Sequence, residues 1–344
     1  MFRDHLVPRF RHWALAIGCS LALGGCATGP TPARQHWIAM PLLAPAAVDS
    51  ATPWFPRAAS LTLRNELAVI PGLMVIVPPV NAATGAAEVP PHVAWVVGGS
   101  VSRGGGRTRF DITLRRSTEA VPSWQRRFEY ASDSGAASWR RDIPAAVAAQ
   151  VGAGPKTAEA GDWGTCQSGP ASDDTLRAIE AYGNYRSRDD ILRVRGWLEQ
   201  ALRHEPGCSE AQAQFAMTHA TELANRWGTD PQAQLALADR FARQALATNP
   251  LQPFAHIARL QVLRSQRQID AALQEATTAT RLDPSNGLFV GRLAALQYDA
   301  GDAAATLASA RKMQELPNGT FAALYQGLLF EAMSRYSLDR KSVV

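Results

Sequence analysis

Lysine is nearly absent from this 344-residue chain: Lys156, Lys312 and Lys341 are the only three among 35 basic residues. An arginine bias of that kind reflects a GC-rich coding sequence more than any chemistry. Cysteine is also scarce, with four residues, which excludes a disulfide-dense scaffold and a protein built on several zinc sites. No uninterrupted apolar run approaches the roughly 20 residues of a bilayer-spanning helix, so none is expected in the folded product. The net charge is only +5, too small for a nucleic-acid binder without a concentrated patch. What is present is 46% hydrophobic residue content, enough to fill cores in two domains.

Catalytic signatures are missing as well. There is no H-E-x-x-H, no G-x-x-x-x-G-K-[ST] and no G-x-S-x-G, because Ser102 stands where the last would need glycine. Ser309 and Lys312 have S-x-x-K spacing but lack the further motifs of penicillin-recognising enzymes, so a solvated helix face explains them. His36, His92, His204, His219 and His256 show no ligand spacing, which argues against a metal. Asp173-Asp174 and Asp189-Asp190 resemble paired carboxylates, yet each precedes a helical stretch and reads as capping. We expect no enzyme, no cofactor and no metal.

Arg3, Arg9 and Arg11 precede an apolar run, Trp13 to Leu23, of signal-peptide length. The run ends in Leu23-Gly24-Gly25-Cys26-Ala27, which resembles the lipobox of bacterial lipoproteins. That resemblance implies a signal peptide over 1–25, lipidation at Cys26 and a lipidated tether over 26–35. Several acyl chains, each CH2 contributing about 0.8 kcal/mol, would anchor the protein stably. Ala27 stands where an inner-membrane retention signal would place Asp, so the resemblance implies the periplasmic face of the outer membrane. DNA is excluded as a partner by that compartment.

Residues 36–151 read as mixed α and β. Trp37 to Leu43 and Gly72 to Val77 are apolar strand segments flanking helical spacing at Ala58, Leu61, Leu63, Leu67 and Ile70. Val93 to Val97 reads as a central strand, with Gly98-Gly99 expected to bend the chain and Gly104 to Gly106 to turn it. Phe110, Ile112 and Leu114 alternate with Arg109, Asp111, Thr113 and Arg115, and a further strand carries Trp124, Phe128 and Tyr130. A helix over 137–151 closes the region. The segments "IAMPLL", "IPGLMVIVPP" and Trp95 to Tyr130 resemble the TolB N-terminal-like domain of CadC-type and adenylate-cyclase-type periplasmic regions, which precedes tetratricopeptide repeats (TPRs). That resemblance implies an α+β domain with a mixed sheet and an antiparallel meander.

A Gly/Pro/Ser-rich linker is expected over 152–172, followed over 173–338 by Ala, Leu, Arg and Gln in helical spacing and then by a short tail, 339–344. Prolines 206, 250, 284 and 317 are spaced 44, 34 and 33 apart, each after a segment such as "LEQALRHEP" or "ARQALATNP". A period near 34 is the TPR length, with an insertion expected at Ala224 to Pro231. Alanines 201, 245, 272 and 279 suit close helix crossings. Four helix pairs and a capping helix, Phe321 to Tyr336, are expected to stack into an all-α solenoid.

Three site expectations follow. Cys166 and Cys208 would meet as a disulfide in an oxidising compartment. The first helices of the pairs would line a concave partner groove offering Asn184, Tyr185, His219, Gln261, Arg264 and Tyr298. Residues 92–141 hold nine arginines against four acids, so Arg103, Arg107, Arg109, Arg115 and Arg127 are expected to form a basic surface. The resulting reading is an outer-membrane lipoprotein acting as a TPR adaptor for periplasmic or outer-membrane proteins. The alternative is a signal or small-ligand receptor with a pocket between the sheet and Pro53 to Ile70.

Overall fold

The described elements are, in order, strand β1 (His36–Ala39), then β2 (Ala44–Pro45), helix α1 (Phe55–Ala68), β3 (Leu73–Ile76), β4 (Trp95–Gly104), β5 (Arg107–Arg116), β6 (Trp124–Ala131) and α2 (Ala137–Val151). The structure is a computed structural model and describes residues 36–46, 52–78, 87–132, 137–153 and 164–316. Cys26, the signal segment, the tether, the expected last helix and the tail lie outside the described residues.

The sheet runs β3-β1-β4-β5-β6, parallel on the β3-β1-β4 side and antiparallel through β4-β5-β6. β2 continues β1 along β4: Ala39 pairs with Val96 and Ala44 with Ser100, so one extra residue is accommodated between them. Gly98 and Gly99 do not end the strand as expected. Both lie inside β4, and Gly99 has φ +133° with its Cβ position overlapping the Asp111 carbonyl oxygen, so no side chain fits there. The turn itself is Gly105-Gly106, both at positive φ, the two-residue geometry whose twist matches a hairpin.

Alternation along β5 aims Phe110, Ile112 and Leu114 at one face, where each is fully buried. Against them pack Phe55, Leu63 and Leu67 of α1 and Trp139 of α2, with the Phe110 and Trp139 rings 5.1 Å apart. Pro56 suits the first turn of α1, where its missing N–H has no helical partner to lose.

The second region comprises α3 (Gly169–Tyr182), α4 (Arg188–His204), α5 (Ser209–Asn225), α6 (Pro231–Thr248), α7 (Pro253–Ser265), α8 (Ile269–Leu282), α9 (Gly287–Asp299) and α10 (Ala303–Glu315). They pack as successive pairs, and neighbouring first helices α5 and α7 also touch, which makes a TPR-like solenoid. The repeat is visible in its hydrogen bonds. Glu205, Asn249 and Asp283, each just before a proline, donate their N–H to the carbonyls of Ala201, Ala245 and Ala279 at 2.8, 2.8 and 3.1 Å. Those alanines are fully buried at the crossings. The long first interval is not one loop insertion: α5 and α6 have 17 and 18 residues against 13 and 14 in α7 and α8, about one extra turn each.

The expected linker is shorter than its composition suggests. Thr165 and Cys166 are buried, and α3 starts at Gly169 with Ser168 as its N-terminal cap position. Asp173 therefore sits inside α3 rather than capping it, and both its oxygens accept from Arg103 of β4 at 2.7 Å. Asp190 does cap: its carboxylate accepts from the Ser187 N–H while the Ser187 hydroxyl accepts from Asp190 N–H.

The two regions share a core, since Leu176 of α3 packs into the cluster beneath the sheet. Arg140 of α2 is the main polar fastening. Its guanidinium donates to Glu210 of α5 at 2.7 and 2.9 Å and to Glu66 of α1 at 2.7 Å, and all three side chains are at most 6% exposed. Burial disfavours the Arg140 charge, but the two carboxylates outweigh it and hold its pKa above the ordinary value. The Cys166–Cys208 disulfide ties the segment just before α3 to the start of α5.

Replacing Arg140 with methionine leaves two buried carboxylates without a cation, and we expect urea unfolding to show a loss of about 3–5 kcal/mol. Adding Glu66→Gln and Glu210→Gln should recover most of it. For a bridge spanning 42 residues, the Cys166→Ser/Cys208→Ser protein should lose about 4 kcal/mol of unfolding free energy.

Candidate functional site

The first-helix side, expected to be an open groove, is occupied by the chain itself. Arg57 of α1 donates to Asn184 Oδ1 at 2.6 Å and sits 3.3 Å from Glu180, both at the α3 end. Arg140 reaches α5, and Asp283 ahead of α9 interacts with Arg64 of α1. Met74 of β3 and Trp37 of β1 pack with Val290 of α9, Met313 and Leu316. Three of the four first helices are therefore engaged by α1, α2 and the β3 edge of the sheet. α5 is buried without interruption from Ser209 to Glu222.

This corrects the partner-groove expectation for several residues. His219 is 3% exposed and Gln261 6%, so neither presents its side chain to a partner. Asn184 is exposed but held by Arg57. Arg264 lies 3.5 Å from Asp299, and Tyr298 is half-buried on α9. Tyr185 is half-buried, with its ring against Tyr182 and Trp227.

Behind His219 is a charge cluster that no sequence motif announces. Glu222 is buried and accepts from Arg188 at 2.8 Å and Arg195 at 2.7 Å. Burial pushes its carboxyl up, but the two guanidiniums prevail and hold it below the ordinary value. His219 Nδ1 is 2.5 Å from Gln234 Oε1, and Nε2 is buried without a partner. Burial, aided by nearby Arg195 and Arg240 and opposed by Gln234 and Glu222, lowers the imidazole pKa to about 4. The neighbouring Tyr182 hydroxyl, buried and bonded to Thr221, is pushed up to about 12.

The basic surface is largely neutralised. Arg107 and Arg109 pair with Glu129, and Arg127 pairs with Asp111 across β5 and β6. Arg115 donates to the carbonyls of Arg116, Ser117 and Glu119. Arg103 is not a surface residue: it is 12% exposed, lies 4.9 Å over the Phe55 ring and binds Asp173. Cross-strand register sets these pairs, and a count of charges along the sequence does not.

The open side of the solenoid is formed by second helices. α4 stands between two grooves. One, of about 400 Å³, lies between α3 and α4 and is lined by Arg177, Tyr185, Arg193 and Trp197, with the Arg177 guanidinium 4.4 Å over the Trp197 ring. The other, about 420 Å³, lies between α4 and α6. The sequence signal for both, aromatic and arginine residues on the outward faces of α4 and α6, was present at Trp197, Arg203, Arg240 and Phe241.

No protein-family model matches this chain, and no curated protein sequence matches it. Solved structures with a similar helical fold include the Pseudomonas aeruginosa pilF structure, at 21% identity over 50% of this chain and 74% of that one, with a TM-score of 0.37. TTC0263, a TPR protein of Thermus thermophilus, is 18% identical over 46% and 99%, with a TM-score of 0.32. A MamA AMB-1 structure is 16% identical over 42% and 90%, with a TM-score of 0.29.

Because the folded-state pKa of His219 lies below its ordinary value of 6.5, its contribution to stability is complete above pH 6.5 and is lost as pH falls toward 4. We expect up to about 3 kcal/mol of unfolding free energy to disappear across that window. The loss should be absent in His219→Gln, measured by urea titration at each pH.

Proposed function

We propose that this protein is a lipid-anchored, non-enzymatic adaptor on the periplasmic face of the outer membrane, recruiting a protein partner to its solenoid. One observation carries the reading. The sheet region covers the first-helix side through buried contacts at Arg140, so the two regions move as one body and the second-helix side is left open with two grooves. A rigid body with an open helical flank suits equilibrium binding of another protein.

The compartment is supported by two features. Leu23 to Cys26 has the residue types a lipobox needs, and the Cys166–Cys208 bridge is a bond that persists in oxidising compartments. We read the sheet region as a TolB N-terminal-like domain on the residues that carry that resemblance, and assign it the role of spacer and brace. A receptor would need room under α1. There Leu63, Leu67, Phe110 and Ile112 fill the seam with side chains at most 1% exposed, which favours the adaptor.

Cys26→Ala should abolish incorporation of labelled palmitate and move the protein from the membrane to the soluble periplasmic fraction; continued membrane retention would sink the anchoring proposal. A photo-crosslinking residue at Tyr185, which lines the groove between α3 and α4, should give a protein adduct in cells, whereas one at the buried His219 should give none.

A further inference from the structure

The groove between α4 and α6 has a composition that names its occupant. Its floor is apolar: Leu202 of α4, Pro206 just past it, and Phe215 and Phe241 with ring centroids 4.5 Å apart. Its rim carries Arg203 and Arg240, both exposed. Neither has a carboxylate within ion-pairing distance among the described residues. Six of the other thirteen arginines in this region do have one: Arg188 and Arg195 bind Glu222, Arg193 binds Asp190, Arg243 and Arg259 bind Asp239, and Arg264 lies 3.5 Å from Asp299. Arg240 is also fixed in direction, its guanidinium lying 4.6 Å over the Phe241 ring. Among the lining residues, Glu199 is the single acid.

Gln212 ties one wall of the groove together. This lining residue is 7% exposed, and its Nε2 donates to the Pro206 carbonyl at 2.7 Å. That bond fixes the amide, so Oε1 is left as a buried acceptor with no donor.

We propose that this groove docks an extended acidic segment of a partner protein, with carboxylates on Arg203 and Arg240 and an apolar side chain on Phe215 and Phe241. The proposal rests on the adaptor reading and specifies the partner's chemistry. Guanidinium–carboxylate contacts supply direction, and the aromatic floor supplies buried area. Neither a neutral nor a basic segment would match the unpaired rim.

The test uses the full-length protein and two labelled probes, Gly-Glu-Leu-Glu-Phe-Glu-Gly and its counterpart with Gln at every Glu, followed by fluorescence anisotropy. The acidic probe should bind at least tenfold tighter than the Gln probe. Arg203→Glu/Arg240→Glu should lose at least tenfold with an unchanged melting temperature, while Arg107→Glu/Arg115→Glu should keep full affinity. Hydrogen exchange should show probe-dependent protection over α4 and α6. Equal binding of the two probes, or affinity indifferent to the Arg203/Arg240 reversal, would overturn the proposal. So would a self-associated dimer that the reversal dissociates, or binding to phosphatidylglycerol vesicles that the reversal abolishes. Photo-crosslinking in cells separates the two levels: an adduct at Tyr185 with none at Gln244 refutes the groove and leaves the adaptor standing, while no adduct at either site refutes both.

Discussion

Arg140 places one guanidinium between two carboxylates that belong to different halves of the molecule, Glu66 beneath the sheet and Glu210 on α5. Burying three charges is costly unless the geometry is good, and here the cation donates to both acids while all three side chains are removed from water. Such a contact tolerates little displacement, because separating the halves would expose or orphan a charge. The orientation of the sheet region on the solenoid follows from it. The disulfide at Cys166 and Cys208, the Arg103–Asp173 pair and the Arg57–Asn184 contact are then arranged around a joint already fixed.

That joint decides which surface can work. A TPR-like array normally has two flanks available, and in this chain the sheet region takes the first-helix flank, against α3, α5 and α9. The second helices stay open, and among the described residues α4, which begins at its Ser187/Asp190 capping box, separates two grooves. Electrostatics reinforce the division. The three charges at the covered joint are paired, whereas Arg203 and Arg240 on the open side are exposed, Arg240 lying over the Phe241 ring.

Much of the architecture could be read from the residues. The alternation of Phe110, Ile112 and Leu114 gave the buried face of β5, and prolines 206, 250 and 284 with their preceding alanines marked the repeat. Gly98-Gly99 misled because glycine permits both a bend and a close approach of strands, and only the neighbouring Asp111 carbonyl shows which applies. The site was less legible. His219 and Gln261 lie on the expected helices, but periodicity reports which residues share a face and not what packs against that face. Asp173 read as a cap because α3 starts earlier than composition suggests, and Arg103 read as a surface charge because its partner is 70 residues away.

By itself, then, the sequence determined the order of elements, the mixed sheet followed by helical pairs, and the alanine positions where helices cross. These depend on local periodicity, turn chemistry and side-chain size, which act over a few residues. Tertiary structure alone decided that the sheet region lies along the first helices, that Arg140 joins Glu66 to Glu210, and that the open grooves fall beside α4. Those outcomes depend on long-range packing and on charges brought together from separations of 70 residues and more, and the physics of burial assigns them only once the halves have met.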